Sequence, residues 1–188
     1  MFLIITKLRI MLYSSIIQEL TSYKELSDTK ETMYDFYKRN NASDEILSLV
    51  KLENKRFGTI MENILTEYMR MKQPVHNITS YDRMFENNVR IEIKSSRIWG
   101  RGRTSQFKWQ HVMKDHDYDV LLLAGLDFTH IRLYAISKKK VMELYCKNVI
   151  KQQGRAEGQG LWFSLSQIKP YITDVGTKDK MIAFCSKL

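Results

Sequence analysis

The sequence predicts an α/β protein built around a mixed β-sheet, and three observations support this fold class. Apolar residues recur at helical spacing in the first part of the chain, and from residue 75 the period changes to two. Residues 117–125 contain an unbroken apolar run bounded by acids and a glycine, which is typical of a buried strand. The 188 residues are 44% hydrophobic and 27% charged, which suits a folded core and argues against global disorder.

Helices are expected before the sheet begins. Residues 11–40 place apolar side chains at helical spacing. The best-signalled helix spans residues 44–71, with an interruption near Gly58 left open. Ser43 or Asp44 is suited to cap its N-terminus, because both side chains can accept a hydrogen bond from a free backbone N–H.

The period-two region predicts the strands of the sheet. The expected elements are strands at 75–80, 81–85 and 89–95, a short helix at 104–114, and strands at 117–125 and 130–137. Asn87 and Asn88 lie between the second and third strands, where asparagine tolerates a positive φ angle. This order predicts a sheet that is antiparallel at the hairpin and parallel across the helix.

We expect residues 1–188 to form a single domain. Its parts are an N-terminal helical arm at residues 1–43, a core at residues 44–137 and a C-terminal extension at residues 138–188. The extension opens with a predicted basic turn at residues 138–140. The two cysteines rule out a disulfide scaffold and lack zinc-ligand spacing, so both are expected to be reduced thiols.

The positive charge is concentrated in the second part of the chain. The formal net charge is +9, and residues 75–188 hold 19 Lys and Arg against 11 Asp and Glu. Residues 1–74 are nearly balanced. A positive surface attracts polyanions, because neutralising phosphates releases counterions, although many basic proteins bind no nucleic acid specifically.

Two segments have the composition of nucleic-acid contacts. Residues 94–108 combine five basic residues, two aromatic residues and two glycines with no acid, which predicts a loop along a sugar–phosphate backbone. Residues 151–160 are polar and glycine-punctuated, and Gln and Arg read purine edges. Solvated surface loops are the alternative for both segments. The predicted DNA contacts are Arg97, Arg101, Arg103, Lys108, Gln110, Gln153 and Arg155.

Asp82, Glu92 and Lys94 form the chemically distinctive group. A three-residue hairpin loop at residues 86–88 keeps apolar residues on one face and places Asp82 opposite Glu92, with Cβ atoms about 4.5–5.5 Å apart. Two such carboxylates repel each other unless a hard cation such as Mg²⁺ binds both. Lys94 is placed to polarise a water, so the group suits metal-assisted phosphodiester hydrolysis. An ordinary half-exposed strand is the alternative.

Asp82 followed by Glu92-Ile93-Lys94 resembles the motif of the PD-(D/E)XK nuclease superfamily, and the likeness covers residues 44–137. The resemblance implies a restriction-endonuclease-like core of order αβββαβ, 5′-phosphate products and the Ile93 carbonyl as a further metal ligand. The spacing from Gly58 to Glu62 is similar to that of members with a helix glutamate at the metal.

Some positions depart from the family pattern or leave an assignment open. Glu67 or Glu53 could take the place of Glu62 as the helix carboxylate, or no helix carboxylate acts. Tyr81 stands where the family often has proline. No tyrosine follows Gln110 at the spacing of exonuclease-type members, which argues against a RecB-like exonuclease.

These observations predict a Mg²⁺-dependent endonuclease that cuts double-stranded DNA, formed by a single nuclease domain. One site per chain implies a homodimer for cutting both strands. A type II restriction-like enzyme is preferred, with a cognate DNA methyltransferase as a possible companion that need not bind it. A Holliday-junction resolvase or repair nuclease and a catalytically silent nucleic-acid-binding module are the alternatives.

The expected location of the protein is intracellular, in the cytoplasm or on the nucleoid. The apolar N-terminus is too short to span a membrane and carries Lys7 and Arg9, and it lacks a small-residue cleavage site. Either Met1 or Met11 is suited to be the start of the protein.

Overall fold

The computed structural model describes residues 31–74, 80–98, 106–154 and 158–188. Its α-helices are α1 Glu31–Arg39, α2 Asp44–Lys51, α3 Asn54–Met69, α4 Lys138–Cys146, α5 Leu165–Ile168 and α6 Lys178–Cys185. Its strands are β1 Arg83–Met84, β2 Arg90–Arg97, β3 Lys108–Val112, β4 Val120–Leu126, β5 Ile131–Ser137, β6 Lys151–Gln152, β7 Leu161–Ser164 and β8 Thr173–Asp174. No helix in these ranges is long and apolar enough to cross a membrane.

The chain divides into two compact units, and the first comprises residues 1–57 with residues 128–130. In its described part, α1 and α2 pack against each other, and the Tyr37 side chain of α1 is buried. The Phe128 ring meets the rings of Phe36 and Tyr37 edge-on, with centroids 5.4 and 5.1 Å away. Ser43 caps α2 by accepting a hydrogen bond from the Ile46 N–H, which confirms one of the two predicted caps.

The second unit comprises residues 58–127 and 131–188 and contains both sheets. The larger sheet has the strand order β1-β2-β4-β5-β8. Strand β2 runs parallel to β4, and the other neighbours in this sheet are antiparallel. The predicted α/β class and mixed sheet are therefore confirmed, including the hairpin and the parallel pairing beyond it.

A second, three-stranded antiparallel sheet of order β3-β7-β6 takes the place of the helix predicted at residues 104–114. That prediction was wrong because Trp109 and Val112 enter the core of this unit from a strand, paired with Phe163 and Leu161. The Trp109 indole N–H donates to the Ala124 carbonyl 3.0 Å away and so ties this sheet to β4.

Two further helix predictions need correction. The helix expected at residues 44–71 is two helices, since α2 ends at Lys51, Leu52 has extended backbone, and α3 begins at Asn54. The basic turn expected at residues 138–140 is the first turn of α4, because the Ser137 side chain accepts the Lys140 N–H and nucleates a helix there. The predicted strand at residues 75–80 lies almost wholly outside the described residues.

Gly125 allows the two sheets to approach closely. A Cβ atom at this position would lie 2.7 Å from the Phe107 ring. We expect Gly125→Ala to destabilise the protein by about 1–3 kcal/mol in urea unfolding, because the overpacked ring must move. Gly58→Ala is the matched control: its Cβ meets open space within α3, so it should stabilise by about 0.5–1 kcal/mol. Equal effects of the two substitutions would contradict this account.

Candidate active site

The hairpin that carries the acidic motif has the predicted register. Arg83 pairs with Ile91 and Met84 with Arg90. Residues 86–88 form the three-residue connection, a 3₁₀ turn in which Asn87 and Asn88 have φ angles of 58° and 60°. The loop length and the left-handed asparagines are therefore confirmed, and they bring Asp82 next to β2.

Asp82 lies where the β1–β2 ladder ends, and it bonds to the residues on both sides of Glu92. Its N–H donates to the Ile91 carbonyl at 2.9 Å, and its Oδ2 accepts the Ile93 N–H at 2.7 Å. Because the ladder stops at Arg83, the Asp82 carboxylate occupies the place of the next backbone partner. The Ile93 carbonyl points to the same edge of β2, since the N–H and C=O of one strand residue project together.

Glu92 is buried under Lys94 rather than open to solvent. Its side chain is 2% exposed, and its Oε1 accepts the Lys94 ammonium at 2.6 Å. Its face of β2 is shared by Leu121 and Leu123 of β4 and is covered by the core of the second unit. Burial and the neighbouring Asp82 charge raise the pKa of the Glu92 carboxyl, and Lys94 only partly opposes them.

His116, which the sequence analysis did not assign to the site, lies beside Glu92, and the Glu92 charge acts on Tyr118. His116 Nδ1 lies 3.5 Å from Glu92 Oε2, and the His116 carbonyl accepts from Lys138. Burial and then the Glu92 charge raise the pKa of Tyr118. Among the described residues, His116 Nδ1 and the Tyr118 hydroxyl are buried without a hydrogen-bond partner. No sequence spacing links either residue to Glu92, because the segment before β4 folds back onto β2.

Glu62 of α3 also lies near the Asp82, Glu92 and Lys94 group. Arg83 of β1 forms an ion pair with it. Arg83 Nη1 lies 2.5 Å from Glu62 Oε1, and the same guanidinium donates to Thr66 and to the Asp82 carbonyl. Burial and then the Asp82 charge raise the pKa of Glu62, with Arg83 and Lys94 opposing. Arg83 thus links the helix to the hairpin, a role that the sequence analysis did not assign to it.

The donor set fits a hard divalent cation in its chemistry, although the side chains do not converge on one point. In the described ranges, no three His, Cys, Asp or Glu side chains form a group that could hold a metal ion. Asp82, Glu92 and the Ile93 carbonyl nevertheless offer oxygen donors at neighbouring positions of the hairpin, and Mg²⁺ binds through one or two carboxylates plus waters. Glu62 is the additional candidate on α3.

The predicted DNA contacts have different placements. The segment predicted as a loop from residue 94 begins as strand, so Arg97 lies within β2 and is only 7% exposed. Lys108 and Gln110 are exposed on β3 instead of lying on a helix. The Gln153 side-chain oxygen is buried without a partner in the described part of the chain. Arg101, Arg103 and Arg155 lie outside the described residues.

Comparisons with known proteins add no assignment. No protein-family model matches the chain, and no curated protein sequence is significantly similar to it.

Replacing Glu92 tests the electrostatics of this group. The pKa of Glu92 in the folded protein is raised above its ordinary value of 4.5, so the unfolded chain ionises first as the pH rises and the wild type loses stability. Glu92→Gln has no ionisable group at this position and avoids that loss. We expect the stability of Glu92→Gln relative to wild type to increase from pH 4 to pH 7 in urea unfolding.

Glu143→Gln is the control with the opposite sign. Hydrogen bonds from Lys140 and Lys147 lower the pKa of Glu143 to about 2, so its ionised form favours the folded state. This variant should lose relative stability over the same pH range. A pH-independent difference between Glu92→Gln and wild type would contradict the proposed burial of an ionisable Glu92.

Proposed function

We propose that the chain is a Mg²⁺-dependent endodeoxyribonuclease that hydrolyses phosphodiester bonds with a PD-(D/E)XK-type site. The observation that carries this proposal is the contact of three motif residues around one stretch of β2. Lys94 binds the Glu92 carboxylate at 2.6 Å, and Asp82 bonds to the N–H of the residue between them at 2.7 Å. The resemblance in sequence order and this arrangement support the same chemistry.

In the proposed reaction, Asp82, Glu92 and the Ile93 carbonyl would hold the metal, with Glu62 as a further candidate ligand. Such an ion, when bound, would supply Lewis-acid stabilisation of the charge that develops on the phosphate. The Lys94 ammonium donates hydrogen bonds to the attacking water and to the developing negative charge. Arg83 keeps Asp82 and Glu62 in place through its bonds to both residues.

Catalysis by this group requires a side-chain rearrangement at Glu92. The carboxylate is 2% exposed, whereas the Lys94 side chain that covers it is 23% exposed. A substrate phosphate offers the ammonium a competing anion, so Lys94 can exchange one Glu92 oxygen for the substrate. Substrate binding would thereby uncover the second carboxylate of the motif.

The positive charge of residues 75–188 supports DNA as the substrate. One site per chain supports a homodimer for double-strand cutting, as in the preferred type II restriction-like enzyme. Cutting of branched DNA by a junction resolvase or repair nuclease uses the same residues. The burial of Glu92 favours another candidate function, a catalytically silent nucleic-acid-binding module.

Cleavage of supercoiled plasmid with Mg²⁺ or with EDTA tests the proposal. We expect Mg²⁺-dependent cutting by wild type, and a loss of about 10²–10³-fold in Lys94→Met, because one stabilising donor is removed. Asp82→Asn and Glu92→Gln should be comparably impaired. The matched controls are Glu143→Gln and Lys147→Met, which break an exposed Glu–Lys pair of the same 2.6 Å length and should cut normally.

The products separate the candidate functions. Discrete fragments indicate a restriction-like enzyme, and cutting confined to four-way junctions indicates a resolvase. DNA binding without metal-dependent cutting of any substrate indicates the silent module and defeats the nuclease proposal.

Metal binding can be measured without turnover. A ligand that binds only the folded state stabilises it by about 2.7 kcal/mol at 100 times its Kd, so saturating Mg²⁺ should raise the thermal midpoint of wild type. Asp82→Asn should abolish the rise, because it removes a ligand charge, and Glu143→Gln should keep it. A rise that persists in Asp82→Asn would place the cation elsewhere.

A further inference from the structure

The outer face of the β3-β7-β6 sheet carries a partly exposed tryptophan. Leu161 and Phe163 of β7 are 0% and 1% exposed and belong to the core of the second unit. Trp162 lies between them, so its side chain points to the opposite face, and it is not part of that core. The central strand of the small sheet therefore presents a large, partly exposed aromatic ring outward.

Basic and amide side chains surround this ring. Lys151 of β6 pairs directly with Trp162, and Lys108 of β3 pairs with Ser164, two residues further along β7. Gln110 is exposed like Lys108 and lies at the bulge between Trp109 and Val112, on the opposite side of the buried Trp109. Lys108, Gln110, Lys151 and Trp162 are called the platform below.

The platform is positive and has no acidic member. Strands β3, β6 and β7 contain no Asp or Glu. Lys108 and Lys151 are exposed, and no carboxylate of the described residues pairs with either ammonium. A flat apolar ring between free ammonium groups is complementary to a base with phosphates on either side.

We propose that the platform binds single-stranded nucleic acid by stacking an unpaired base on the Trp162 indole. Lys108 and Lys151 contact the flanking phosphates, and the Gln110 amide lies beside the base edge. The consequence of the platform for substrate choice rests on the proposed nuclease function, since the platform would favour DNA that carries an unpaired section. Binding itself does not require Asp82, Glu92 or Lys94.

The test is fluorescence anisotropy with a labelled 20-nucleotide oligothymidylate in EDTA, which separates binding from cleavage. Loss of a base–aromatic stack should weaken binding about tenfold in Trp162→Ala, and Trp162→Phe should retain most of it. Tyr171→Ala is the matched control, because Tyr171 is an exposed aromatic residue outside the platform, and should bind normally. Circular dichroism establishes that each variant is folded.

The salt dependence tests the lysines independently. In the double variant Lys108→Ala/Lys151→Ala, the plot of log affinity against log salt concentration should become less steep. The slope should fall by about 0.7 for each phosphate of the single strand that the variant no longer neutralises. The exposed pair Lys139 and Lys187, changed to alanine together, is the control and should leave the slope unchanged.

Wild-type protein can be photo-crosslinked to an oligonucleotide that contains 5-bromouracil, and the crosslinked residues identified by mass spectrometry. We expect a crosslink at Trp162, and this test does not depend on the folding of any variant. Crosslinks only elsewhere would overturn the proposal. The proposal would also be overturned if Trp162→Ala bound single strands as tightly as wild type. An equal loss of affinity for single strands and for blunt duplex DNA would overturn it as well. If plasmid cleavage fails but Trp162-dependent binding remains, the platform stands and only the nuclease function falls.

Discussion

The buried ion pair between Glu92 and Lys94 is the interaction on which the candidate site depends. A carboxylate that is 2% exposed costs several kcal/mol to bury unless a cation compensates it, and Lys94 is two residues along the same strand. Strand alternation places both side chains on one face, so the compensation is local. The same pair keeps the acid beside Asp82 and supplies the ammonium that the proposed hydrolysis requires.

The two faces of the β3-β7-β6 sheet have different roles in the structure. Its inner face buries Trp109 and Phe163 against the larger sheet, on the face of β2 that carries Glu92. Its outer face presents Trp162 between two lysines. One small sheet therefore packs on the face of β2 that carries Glu92 and presents a cationic aromatic surface on its other side.

Local patterns predicted much of the fold. The hairpin register followed from the need to keep Ile91 on the apolar face, and the turn followed from two asparagines. The strand at residues 108–112 was missed because its burial alternation is interrupted by a bulge, where His111 has a φ angle of 57°. That irregularity leaves neither a clear helical nor a clear strand period.

By itself, the sequence determined the α/β class, the mixed sheet, the hairpin and the proximity of Asp82 to Glu92, because each depends on neighbours within a few residues or on burial of one strand face. Only the tertiary structure decided that Glu92 is enclosed, that His116 lies beside it, and that Trp162 lies beside Lys151. These contacts join residues far apart in the chain, and no local period or spacing encodes which segments fold back onto each other.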